Sequence, residues 1–407
     1  MSGLSKHNPI WDQTRAQSEC DRVYEDDGIL IATNFECGNG KSIRSTGADH
    51  YEMSLEPEPG DHVFSGQSYY FCVGLRNKTP TSRAIQLTAQ ANIDGKFSQG
   101  NHHAILKRGQ MWGHLDPSAV HPDGDTDRVT FDVVLPASNE TDATVFLSNF
   151  HWYPFTEFQQ YIEQLEQNDL VSVSTYGESS DGRPLYRIDI GSDDPSAPCV
   201  LMSQTPQPSE CGTWTCKAVI EYLLSDEGAS ALAQHRFVIL PMTNPDGTVA
   251  GLGVSHPSGS FPYFEGKLTA EGDPSALPEL KNFWQVLVQE KPWLFIEWHS
   301  NNWARRPGHM LLRFRPHLIE DESIRTLWED IDRRLEAVPD VHHGNWTSHD
   351  EGMYQISFCF QAITRLNTIS YMIKHHDKFP LKDIQQNAVA CLKEALAAWD
   401  VHHAKVT

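Results

Sequence analysis

The chain has 407 residues and a formal net charge of −22, with 54 acidic against 32 basic side chains. Such a balance disfavours nucleic acid and anionic membrane surfaces as partners. Hydrophobic residues make up 39% and charged residues 21%, the profile of a globular chain with material for a sizeable core, and roughly 100–200 residues per domain predicts two domains.

The first twenty residues lack an apolar leader core, and no stretch approaches about 18 apolar residues. A cytoplasmic protein with no membrane partner is therefore expected. The eight cysteines (Cys20, Cys37, Cys72, Cys199, Cys211, Cys216, Cys359, Cys391) include no CxxC pair, and reduced thiols are the expectation.

In chain order, residues 1–154 read as β structure. "SYYFCVGLRN", "RAIQLTAQANI", "AILKRGQMWGHL", "DRVTFDVVLP" and "ATVFLSNFHWYP" are short runs rich in β-branched and aromatic residues, punctuated by Gly, Pro, Asn and Asp. This rhythm predicts an all-β sandwich, and a jelly-roll strand order fits equally. From residue 155 the pattern changes. "FTEFQQYIEQLEQ" carries Phe158, Tyr161, Ile162 and Leu165 at helical spacing. Strand-like runs ("PLYRIDIGS", "CVLMSQ", "RFVILPMTN", "WLFIEWHS") then alternate with helix-like ones ("TWTCKAVIEYLLS", "LPELKNFWQVLVQEK", "DESIRTLWEDIDRRLEAV", "DIQQNAVACLKEALAAWDVHH"). Continuous apolar strands between amphipathic helices predict, over 155–407, an α/β domain whose mixed sheet is covered by helices on both faces. "GLGVSHPSGSFPYFEGK" reads as a long site-lining loop.

Gln207, Glu210 and His299 each follow the end of a predicted strand, where functional groups of α/β sheets gather. Glu297 and His299 are two apart and share a strand face. A zinc ion takes three protein ligands at a catalytic site and keeps one position open. The amide oxygen of Gln207 is a weaker donor than an imidazole, so retention and loss of zinc are both open readings.

Three ordered blocks carry a resemblance: "QPSECGTWTCKAVIEYLL", "VILPMTNPDGTVAG" and "LFIEWHS". The second domain resembles the zinc carboxypeptidases, and the two-domain layout resembles their cytosolic branch. The resemblance implies metal ligands at Gln207, Glu210 and His299, with Gln207 standing where that family has histidine. It implies an arginine and an Asn-Arg pair that grip a terminal carboxylate, but here Val254, Tyr263 and Phe264 occupy those places. Arg305 and Arg306 are candidate substitutes for that grip. Tyr263, Tyr371 and Asn244 are further candidates for contacting substrate. The family's general base, a glutamate late in the domain, is replaced: Ser370, Tyr371 or Met372 falls there. Glu297, His375 and His376 are the candidates for proton transfer.

Three functions compete on this sequence. One is a divergent metallocarboxypeptidase-like hydrolase that cleaves an amide or peptide-type bond of a small molecule or peptide, with zinc, and is not a standard C-terminal exopeptidase. Another is a catalytically inactive binding protein on the same frame. The third is a non-hydrolytic enzyme, an acyl transferase or lyase, in the same pocket. The sequence leaves the oligomeric state open.

Overall fold

A computed structural model describes residues 20–92, 103–123, 126–192, 194–300, 308–339, 341–343 and 352–404. The chain divides into two compact units. One takes the described residues up to Glu157 together with Gly247–Ser260; the other takes Phe158–Asp246 and the described residues from Phe261 on.

The first unit is an all-β sandwich. Its strands are β1 (Val23–Glu25), β2 (Ile29–Ala32), β3 (Lys41–Gly47), β4 (His50–Ser54), β5 (Cys72–Asn77), β6 (Arg83–Gln90), β7 (Ile105–Arg108), β8 (Met111–His114), β9 (Val120–Pro122), β10 (Arg128–Leu135) and β11 (Thr144–Ser148). One sheet runs β1-β2-β5-β11-β7-β8 and the other β3-β4-β6-β10-β9. Along β6 and β10 buried and half-buried residues alternate, as expected of a sheet with one face in a core. Phe71 and Phe131, with ring centroids 5.3 Å apart, join the two sheets. The run 104–115 is two strands rather than one: β7 and β8 form a hairpin whose turn starts at Gly109, at φ +56°. Strands β1 to β4 and β9 were not foreseen: β3 lies largely exposed, and the others are short, β2 being a fully buried apolar run of only four residues.

The second unit is a mixed α/β sheet covered on both faces. Its strands are β12 (Val171–Glu178), β13 (Pro184–Gly191), β14 (Cys199–Gln204), β15 (Arg236–Leu240), β16 (Leu294–Ser300), β17 (His309–Arg313), β18 (Val341–His343) and β19 (Ile369–His375). They lie in the order β12-β13-β15-β14-β16-β19-β17-β18. The centre is parallel: β15, β14, β16 and β19 all run the same way. Every residue of β14 and β16 is buried, and each strand opens on an apolar run, Cys199–Met202 and Leu294–Ile296. The long helices are α1 (Phe155–Leu165), α2 (Gly212–Leu223), α3 (Pro278–Glu290), α4 (Glu322–Glu336), α5 (Phe358–Leu366) and α6 (Leu381–Ala404). α2, α4 and α6 pack together on one face. On the other, Phe283 of α3 meets both Phe295 of β16, at 6.0 Å, and Phe358 of α5, at 4.8 Å.

Cys37, Cys72, Cys199, Cys211, Cys216, Cys359 and Cys391 are free, buried thiols. Among the described residues no helix is long and apolar enough to cross a membrane.

Candidate metal site

β14 and β16 are parallel neighbours, with Ser203 beside Glu297 and Gln204 beside Trp298. Their C-terminal ends therefore share one rim of the sheet, and the 205–211 loop leaves from it beside Ser300. That loop is tied down at each step. Thr205 N–H donates to the Trp298 carbonyl at 2.9 Å. Asn244 Nδ2 donates to the Pro206 carbonyl at 2.9 Å. Glu210 N–H donates to the Gln207 carbonyl at 3.2 Å, and Cys211 N–H to Ser300 Oγ at 2.9 Å. Gly212 then opens α2 hard against the strands: a Cβ there would lie 2.6 Å from Gln204 Cγ and 2.8 Å from the Trp298 carbonyl oxygen. Only glycine lets the helix start so close to the sheet.

Glu210, His299 and Glu297 form a line of buried side chains. Glu210 Oε2 accepts the Ser300 backbone N–H at 2.6 Å. His299 Nε2 lies 2.7 Å from Glu297 Oε2; a carboxylate accepts, so Nε2 carries a hydrogen, and in the neutral ring Nδ1 then presents a lone pair. That Nδ1 is 3.0 Å from Glu210 Oε2 yet makes no hydrogen bond. The Oε1 atoms of Gln207 and Glu297 are likewise buried without a hydrogen-bond partner.

This donor set fits a divalent cation. Two atoms 3.0 Å apart are close enough to reach a common ion at about 2.0–2.2 Å, slightly nearer each other than tetrahedral ligands would be. The second nitrogen of the imidazole is held by a carboxylate, the usual support of a metal-ligating histidine. Gln207, on the same loop as Glu210, carries a buried amide oxygen without a hydrogen-bond partner.

The structure places the other sequence candidates as follows. Tyr263 is buried with its ring edge-on to His299, centroids 5.1 Å apart, and its hydroxyl donates to Met372 Sδ at 3.1 Å. Burial, with Glu297 adding to it, pushes its phenol well above the usual range, so it stays neutral. Where the resemblance calls for an Asn-Arg pair, Phe261, Tyr263 and Phe264 form an aromatic cluster.

Tyr371 is a correction. It pairs in register with Ile296 and so leaves the sheet on the face opposite Glu297 and His299. There it donates to Asp332 Oδ1 of α4 at 2.7 Å, so it is a core residue and not a substrate contact. His375 is another: it pairs with Ser300, stacks on Trp298 at 5.7 Å and meets His309 at 4.8 Å. Burial, then His309, holds it well below the usual histidine value. Its ring is turned away from His299. His376 is fully buried and its Nδ1 accepts the Lys378 N–H at 3.1 Å. Asn244, spent on Pro206, braces the ligand loop. Arg305 and Arg306 lie outside the described residues.

Two residues without a role in the sequence reading matter to the geometry. Ser300 holds Glu210 through its N–H and Cys211 through its Oγ; its only sequence signal is its place after His299. Asp246 of the Asn-Pro-Asp-Gly turn accepts from Ser179 Oγ at 2.7 Å and Asp181 N–H at 2.9 Å, and pairs with Arg183 at 2.5 Å. It anchors the β12–β13 turn.

Comparison with known proteins shows what this sequence and fold resemble. Residues 158–253 match the family described as zinc carboxypeptidase. Cytosolic carboxypeptidase 2 of Macaca fascicularis is 24% identical over 261 residues, covering 56% of this chain and 30% of the relative. That of Danio rerio is 22% identical over 263 residues, covering 58% and 36%. The match thus spans about a third of the length of these curated relatives. Among solved structures, the metallo-carboxypeptidase from Burkholderia cenocepacia has a TM-score of 0.74 at 14% identity, covering 93% of this chain and 100% of that one. The metallo-carboxypeptidase from Pseudomonas aeruginosa, solved with (2-guanidinoethylmercapto)succinic acid, has a TM-score of 0.72 at 16% identity, covering 90% and 99%. In sequence over residues 158–253, and in fold over about nine-tenths of its length, this chain resembles the zinc carboxypeptidases.

Proposed function

We propose that the protein is a divergent metallocarboxypeptidase-like hydrolase that uses zinc to cleave an amide or peptide-type bond in a small molecule or peptide, and that it is not a standard C-terminal exopeptidase. The observation that carries this reading is the pair of facing lone-pair atoms, His299 Nδ1 and Glu210 Oε2, 3.0 Å apart and not hydrogen-bonded. Glu210, His299 and the Gln207 amide oxygen would hold the ion. Zinc, when bound, polarises a carbonyl and makes a bound water more acidic at neutral pH. Glu297 orients His299 and keeps its Nε2 protonated, and its free Oε1 is the remaining buried acceptor for a proton near the site. Ser300 holds the Glu210 carboxylate in place. Tyr263, neutral and apolar on its ring face, excludes water from one side of His299.

The departure from exopeptidase chemistry is supported by the aromatic cluster at 261–264, which stands where a guanidinium grip is expected by resemblance. A bidentate arginine cannot be replaced by a phenol in that task. We place the protein in the cytoplasm, in keeping with its resemblance to the cytosolic carboxypeptidases.

A second reading, a cation-holding binding protein without turnover, is favoured by Met372. It lies in register with Glu297, within the stretch where a family member carries its base. The test is metal analysis of the purified full chain together with hydrolysis of two peptide sets, one with free and one with amidated C-termini. About one zinc per chain and preference for the amidated set support the hydrolase. Zinc without turnover selects the binding protein. A chain that takes up no zinc in excess metal removes both.

A further inference from the structure

Lys374 is the register partner of His299 across the parallel β16–β19 pair, so the two side chains leave the same face of the sheet. Its Nζ lies 5.4 Å from the centroid of the Tyr263 ring, and that ring is in edge contact with His299. Tyr263 therefore touches both residues and fixes the ammonium on the His299 side of the sheet. Lys374 is half-buried. Among the described residues its ammonium makes no hydrogen bond and no ion pair, in a chain where acids outnumber bases by 54 to 32. Among the described residues this partly desolvated ammonium lies over an aromatic ring with its three donors unused. Among the described residues, the carboxylates that flank His299 are those of Glu210 and Glu297. Against one ammonium they leave a net single negative charge, and a divalent cation turns it into a net single positive one. That balance suits one anionic group.

We propose that Lys374 binds an oxyanion of the ligand, a carboxylate or phosphoryl oxygen, beside His299. This rests on the metal reading above for its charge balance, and it makes the ligand an acidic molecule whose anionic group sits near the reacting centre. In this role the lysine acts as a point charge with rotatable donors, which accepts either oxyanion without the planar match an arginine demands.

The experiment is calorimetric titration of the zinc-loaded full chain with inorganic phosphate and, separately, with acetate, with zinc content measured on every sample. Wild type is expected to bind at least one of the two. Lys374→Met is expected to bind it about tenfold or more weakly, the loss of one charge-assisted contact, at unchanged zinc content. Lys374→Arg is expected to keep most of the affinity, and Lys374→Gln replaces the Met variant if that one does not fold. Tighter binding of phosphate or of acetate assigns the source of the oxyanion. Equal affinity in wild type and Lys374→Met, or no binding of either anion by wild type, overturns the proposal. Failure to take up zinc sinks the metal reading alone, and the same wild-type and Lys374→Met comparison on metal-free protein then decides the role of the lysine.

Discussion

His299 Nδ1 faces Glu210 Oε2 at 3.0 Å, while Nε2 of the same ring is held by Glu297 at 2.7 Å. In a neutral ring with its hydrogen on Nε2, the Nδ1–Oε2 pair is repulsive unless a positive charge, a second ring proton or a bound cation, lies between the two atoms. A cation held there would relieve that repulsion in a buried setting.

Removing Glu210 should empty the site. Glu210→Ala is expected to lower zinc content from about one per chain to well below half, with the circular dichroism spectrum unchanged. The variant also leaves the Ser300 N–H without its acceptor, a cost of about 1–3 kcal/mol in stability. Elemental analysis showing full zinc occupancy in the folded variant would count against the ligand assignment.

Gln207→His tests the unusual donor. An imidazole at 207 should bind zinc at least about tenfold more tightly than the amide, because nitrogen donors suit this metal better than a neutral amide oxygen. Competition with a chelator reads the difference. No gain in affinity would mean that the 207 side chain does not point at the ion.

Glu297→Gln separates orientation from ligation. The amide can still accept from His299 Nε2, but it raises the basicity of the ring less than a carboxylate does. Zinc affinity should fall by about 10–100-fold with the site otherwise intact. An unchanged chelator-competition curve would remove Glu297 from the site.

Asp332 predicts a pH dependence away from the site. Burial raises its carboxyl to about 7, against the opposing pull of Tyr371 and Arg313. The folded state thus binds a proton more tightly than the unfolded one. The stability this brings is complete below about pH 4 and is lost as pH rises toward 7, with a slope of up to about 1.4 kcal/mol per pH unit. Asp332→Asn should flatten this part of the profile. Thermal melts of both proteins between pH 4 and 8 check it; parallel curves would show that Asp332 does not titrate in this window.

Much of the central sheet was legible because its strands are buried on both faces. β14, β15 and β16 carry the apolar runs Cys199–Met202, Phe237–Leu240 and Leu294–Ile296, and such runs can be read without knowing their neighbours. The β7–β8 hairpin was misread as a single strand because its two-residue turn hardly interrupts the pattern. β3 was missed because an exposed strand has no apolar signature.

Of the site, the sequence by itself determined the residue types and their order: an amide and an acid three apart in one loop, and a Glu-Trp-His run ending a buried strand. Period-two alternation also put Glu297 and His299 on one face. Only the tertiary structure decided that Glu210 reaches His299, because that contact depends on β14 and β16 being neighbours. It alone turned Tyr371 and His375 away from that face and brought Lys374 toward it. Side-chain direction along a strand follows from parity, but which parity meets which neighbour is set by sheet order and register, and those come from packing between segments far apart in the chain.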